Sequence, residues 1–146
     1  MELNYSTKRS YGVESQTGKR LERIGVDRKL ICAVVDSFYS NIQKDTVLGP
    51  VFESRLHGEW APHLEKMYDF WTTVIEGKMA YSGDPVRAHM EVKSIELEHF
   101  ELWIELFEKT LEDVCDNEEQ IEVFLGPAKR MARALSSRFV DSGDSR

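Results

Sequence analysis

The chain has 146 residues, of which 41% are hydrophobic and 31% charged, and its 19 basic against 26 acidic side chains leave a formal charge of -7. That length and mix describe one domain with enough apolar residues for a core. The acidic balance, with no basic stretch longer than Lys8-Arg9 or Lys129-Arg130, argues against nucleic acid as a partner. The longest wholly apolar run, Leu30 to Val35, is six residues, against the ~20 that a membrane-spanning helix needs. The start of the chain, Met1 to Ser10, has no apolar segment of the kind a secretory signal requires, so no membrane association is expected and the expected location is the cytoplasm.

Nine Gly and four Pro are too few breakers for a sheet-rich chain with many turns, which leaves long helices. Residues 1–25 are polar, contain Gly12 and Gly18, and show no sustained apolar period, so they are expected as a polar arm or short pre-helix outside the core. From Asp27, a suitable N-cap, Ile31, Val34, Val35, Phe38, Tyr39 and Ile42 recur at helical spacing, and this helix is predicted to end near Lys44. Leu48-Gly49-Pro50 breaks the pattern, placing Val51-Phe52 in a short connection. A second helix, from about Glu59 to Glu76, gathers Trp60, His63, Leu64, Met67, Phe70, Trp71 and Val74 on one face. After Gly77 comes a glycine-bounded loop, and Asp84-Pro85 opens a short helix over about 85–91. Glu96 to Val114 reads as a long helix with Phe100, Trp103, Ile104, Phe107 and Leu111 inward. Asn117 then caps a last helix that turns Ile121, Phe124, Leu125, Ala128, Met131, Leu135 and Phe139 inward. The tail, 141–146, is polar and expected to fray. Cys32 and Cys115 fall on separate helical patterns and are expected as buried thiols, with a redox pair as the alternative.

The polar groups that interrupt apolar stripes carry the most information, because a buried hydrogen-bonding atom must find a partner. Tyr39, His63, His89 and Trp103 qualify, one on each of four helices. Taken alone, each of His63 and His89 is more often an ordinary core or boundary histidine than a ligand. His57 and His99 have charged neighbours and are expected on the surface. A zinc site lacks support, since the histidines and cysteines show neither paired short spacing nor a His-x-x-x-His step. Aromatic and methionine side chains with two inward histidines make an environment for a flat apolar ligand. Haem is one, needing an imidazole at its iron and apolar walls on both faces.

The segments Phe38-Tyr39, Leu48-Gly49-Pro50-Val51-Phe52, Trp60-Ala61-Pro62-His63-Leu64, Phe70-Trp71, Tyr81-Ser82-Gly83-Asp84-Pro85, Ala88-His89-Met90, His99-Phe100 and Trp103 through Phe107 give the chain a specific likeness. Over about 27–139 it resembles a truncated haemoglobin of the third group. The resemblance implies an all-α, shortened globin fold, a two-over-two helical sandwich enclosing haem b (iron protoporphyrin IX), with the globin domain spanning 26–140. By position it implies His89 as proximal iron ligand, Tyr39, His63 and Trp103 around the distal ligand, Phe52 packed on the haem, and Phe38 and Trp71 as core aromatics. Met67 and Phe70 join the haem-contacting set, and Lys66 and Arg87 are candidates for the haem carboxylates, with a solvated face as the alternative. The arm before Asp27 has no counterpart. The glycine pairs of other groups are absent, as is common in the third. The implied ligands are oxygen, carbon monoxide, nitric oxide or peroxide. An alternative is a redox enzyme that dioxygenates nitric oxide or reduces peroxide. It would need an external reductase, because no Gly-x-Gly-x-x-Gly fingerprint is present. A haem-free helical interaction module is the third class.

Overall fold

The computed structural model describes residues 17–77 and 96–144, with side chains through residue 137. The described residues form six helices and no strand: α1 (residues 17–24), α2 (Arg28–Lys44), α3 (Leu48–Leu56), α4 (Trp60–Glu76), α5 (Leu97–Val114) and α6 (Glu118–Asp144). The short helix expected over 85–91 lies outside them.

α2 is the hub. Asp27 caps it in extended backbone, its carboxylate accepting the Leu30 N–H at 2.9 Å, an arrangement whose loss costs ~1 kcal/mol. Ile31, Val34, Val35, Phe38, Tyr39 and Ile42 are its buried set, none more than 7% exposed. The same six residues form the stripe read from the sequence. α4 and α5 both pack on α2, α5 packs on α6, and α4 reaches α6, so two helices lie over two. Phe107, Leu111, Phe124 and Leu125 complete the core from the second layer. The one polar side chain with no exposure in this region, Thr110, is satisfied. Its hydroxyl donates to the Leu106 carbonyl at 2.8 Å and accepts from Asn41 Nδ2 at 3.0 Å, which ties α5 to α2.

Four expectations need correction. Residues up to 25 are not all outside the core: Leu21 and Ile24 of α1 are 5% exposed and, with Val26, form a satellite cluster against Leu30, Ile75 and Val123. Gln120 holds that cluster in place, its Nε2 donating to the Ile24 carbonyl at 2.8 Å. Gly25, at φ +83, sits beneath that amide, where a Cβ would come within 2.8 Å of Nε2. Second, Leu48 to Leu56 is helix and not a connection. Pro50 lies in the first turn, where its missing N–H has no intrahelical acceptor to lose. Gly49 lets the turn close on α2, because a Cβ there would meet the Ile42 and Gln43 carbonyls at 3.1 Å. Third, α6 continues to Asp144, into the tail expected to fray over 141–146. Fourth, Cys32 and Cys115 are half-buried free thiols. Burial pushes the Cys115 thiol up to about 11, so it stays protonated at neutral pH.

Candidate ligand pocket

α4 behaves unlike α2. Trp71 and Thr72 are buried, but Trp60, His63, Leu64, Met67 and Phe70 are only half-buried although all lie on its apolar side. An aromatic stripe is left partly uncovered by the described residues, over the ends of α2 and α3. This face is wide and apolar, and it suits a planar apolar group such as a porphyrin, whose burial would cover it.

Within this face, the Tyr39 hydroxyl and His63 Nε2 lie 3.1 Å apart, with ring centroids 5.0 Å apart and near perpendicular. α2 supplies the tyrosine and α4 the histidine. Burial holds the Tyr39 hydroxyl well above its ordinary pKa, so it remains a protonated donor. The imidazole tautomer sets the direction of the bond. With Nδ1 protonated, Tyr39 donates to Nε2; with Nε2 protonated, the imidazole donates to the tyrosine oxygen and leaves the O–H available to a third group.

Phe52 packs edge-on against Tyr39 at 5.7 Å and stacks on Trp60 at 6.2 Å. Trp60 in turn donates its indole N–H to Glu53 Oε1 at 2.8 Å. This clasp closes the corner between α3 and α4, where the backbone reverses through left-handed His57 (φ 51) and Gly58 (φ 83). Trp103 is joined to the pair through Phe38, which meets Tyr39 at 5.3 Å and Trp103 at 6.0 Å. Trp103, Phe107 and Trp71 then stack, at 5.9 Å and 5.3 Å between successive centroids. The Trp103 indole N–H has no acceptor among the described residues.

The sequence-expected residues thus divide. The structure brings Tyr39, His63 and Phe52 into contact and links Trp103 to them through Phe38. It places Met67 and Phe70 half-buried on the same helix as His63, and Lys66 exposed. Arg87 and His89 lie outside the described residues.

Other contacts escaped the sequence reading. Arg28 reaches from the first turn of α2 to the Asp69 carboxylate at 2.9 Å, the Thr72 hydroxyl at 2.6 Å and the Tyr68 carbonyl at 3.2 Å. The Tyr68 hydroxyl donates back to Asp36. Together these latch α4 onto α2 and fix the rotation that points His63 at Tyr39. His99 was expected on the surface. It is half-buried and has a capping role, its Nδ1 accepting the Glu96 N–H at 2.9 Å.

The fold is that of a globin, and the bacterial-like globin family matches residues 20–137; the chain belongs to that family. It is similar to the group 3 truncated hemoglobin ctb of Campylobacter jejuni, with 32% identity over 110 residues, covering 73% of this chain and 86% of the relative. The crystal structure of the group III truncated hemoglobin from Campylobacter jejuni is similar in fold, with a TM-score of 0.74 and 31% identity, covering 78% of this chain and 91% of that one. The expected truncated globin architecture is therefore correct, and membership implies haem binding. Among the described residues no helix is long and apolar enough to cross a membrane.

Proposed function

We propose that this globin binds haem b against the half-buried face of α4, and uses it to bind oxygen and other diatomic ligands in the cytoplasm. The observation that carries this reading is the Tyr39–His63 pair, a buried hydroxyl bonded to a half-buried imidazole on an otherwise apolar face. Haem, when bound, supplies an iron with a free coordination position for a small ligand. His89 is assigned as the protein's iron ligand by its match to the family position. Its second ring N–H then needs an acceptor to fix the tautomer.

The chain's own groups define what the pocket favours. Phe52, Met67 and Phe70 provide apolar walls that exclude water. The His63 imidazole, protonated on Nε2, donates to Tyr39 and frees the Tyr39 O–H for a ligand that carries partial negative charge. Such a relay polarises the second donor and strengthens it. The Trp103 indole N–H is a second donor with no acceptor of its own among the described residues. This pair favours oxygen over carbon monoxide, because oxygen becomes the more negative ligand on binding. Lys66 and Arg87 are assigned to the haem carboxylates.

The test is direct. Purified full-length protein supplied with haem should take up one equivalent and show the visible bands of a histidine-ligated haem. Oxygen release should accelerate in Tyr39→Phe with carbon monoxide release little changed. Absence of haem uptake leaves the haem-free interaction module. Catalytic turnover of nitric oxide or peroxide with an external reductant, faster than ligand exchange, would transfer the assignment to the redox enzyme.

A further inference from the structure

The groove on the outer side of α5 and α6 has a volume of about 700 Å³, an apolar floor of Phe100, Ile104 and Ala132, and two walls of opposite charge. Glu101 and Glu105 form the α5 wall, and Lys129 and Arg133 form the α6 wall. All four are exposed, and none has an ion-pair partner among the described residues. We propose that this face docks a second copy of the chain, as an isologous dimer in which Glu101 and Glu105 of each copy meet Arg133 and Lys129 of the other.

The argument rests on register. α5 and α6 are joined by the short corner at residues 115–117, so they run antiparallel. Four residues forward on α5, from Glu101 to Glu105, match four residues back on α6, from Arg133 to Lys129. Each step is about 6 Å along the axis. Each acid therefore faces a base across the groove at its own height. A two-fold axis lying along the groove preserves height and exchanges the walls. It sets the acidic wall of each copy over the basic wall of the other, four times in all, while the apolar floors meet between them. Self-complementarity of this kind is what an isologous interface requires. A small ligand of either charge would be drawn to one wall and repelled by the other. A partner with a single sign of charge meets the same conflict.

The chain's charge of -7 opposes association at long range. At physiological ionic strength that repulsion is damped over about 8 Å, whereas groups in contact still attract. Exposed pairs are individually weak, so the dimer is expected to be reversible and to require high protein concentration.

Sedimentation velocity of the full chain, from about 5 to about 500 µM at physiological ionic strength, should show a concentration-dependent dimer. Glu101→Lys with Glu105→Lys, and separately Lys129→Glu with Arg133→Glu, should each weaken self-association by at least about 10-fold. An equimolar mixture of the two variants should regain the dimer, because each now carries walls of one sign that match the other. The chain with all four changes should self-associate like the unaltered protein. Circular dichroism confirms that each variant is folded. A monomer at every concentration overturns the proposal, as does a dimer that survives both reversals, or one lost in both and not regained on mixing.

Discussion

The Tyr39 hydroxyl and the His63 imidazole are hydrogen-bonding partners, 3.1 Å apart, from two helices held in rotation by Arg28 and Asp69. Neither group is therefore an independent donor to a ligand, and their effects on ligand release are coupled. Removing Tyr39 deletes a donor and also breaks its bond to His63. A hydrogen bond to a charged acceptor contributes about 1.5 to 3 kcal/mol, so Tyr39→Phe should speed oxygen release roughly 10- to 150-fold. Trp103→Phe should act in the same direction, and the double variant should be less than additive because the two donors share one acceptor. Stopped-flow release of oxygen and of carbon monoxide from the four proteins checks this. Equal effects on both gases would indicate altered access instead.

His89→Ala should abolish stable haem uptake or leave a pocket rescued by added imidazole, whereas His63→Ala should retain haem. Absorbance titration of the two purified variants distinguishes them. The reverse pattern would assign the iron ligand to His63.

The expectation that the first 20 residues are dispensable must be restated, because such a cut removes half of α1 and leaves Leu21 and Ile24 without their helix. Loss of their packing is expected to cost about 2 kcal/mol, a fall in Tm of about 4 to 8 °C in a domain of this size. Leu21→Ala should reproduce part of it and Gln120→Ala another part, since Gln120 alone reaches the Ile24 carbonyl at 2.8 Å. Thermal melts of the three proteins give the comparison, and an unchanged Tm would mean that α1 adds nothing to the fold.

Alkaline pH should loosen α4 from α2. The hydrogen bond to Asp36, with burial as a second cause, pushes the Tyr68 hydroxyl up to about 12. The folded state thus holds this proton more tightly than the unfolded chain, where tyrosine ionises near 10. The contact's contribution is complete below about pH 10 and is lost as pH rises from there towards about 12. Tyr68→Phe should flatten that decline. Denaturant midpoints measured across this window test it, and an equally steep decline in the variant would place the alkaline sensitivity elsewhere.

The legible parts of the molecule were those with local periodicity or local chemistry. The six-residue stripe of α2 reappears as its buried face, Asp27 caps as expected, and Asn117 Oδ1 accepts the Gln120 N–H at 2.9 Å. Leu21, Ile24 and Val26 were missed because three apolar residues spread over less than two turns do not establish a period. α3 was hidden by Gly49 and Pro50, which interrupt a pattern yet are tolerated in a first helical turn. The Tyr39–His63 contact could be anticipated, since both are polar atoms on apolar stripes. Arg28–Asp69 and Glu53–Trp60 could not, because exposed charges separated by loops leave no trace in hydrophobic spacing. His99 looked like surface because its neighbours are charged, but its ring is turned back to its own helix start.

The stacked rings of Trp103, Phe107 and Trp71, continued by Phe124 at 5.6 Å, form an unbroken column from the ligand side of α5 through the core to α6. Close-packed rings have no slack to absorb a displacement. A substitution that displaces Trp103 is therefore expected to be felt first at Phe107 and Trp71, its neighbours in the column. The column thus makes the seat of Trp103 on α5 and the packing of α6 parts of one aromatic stack.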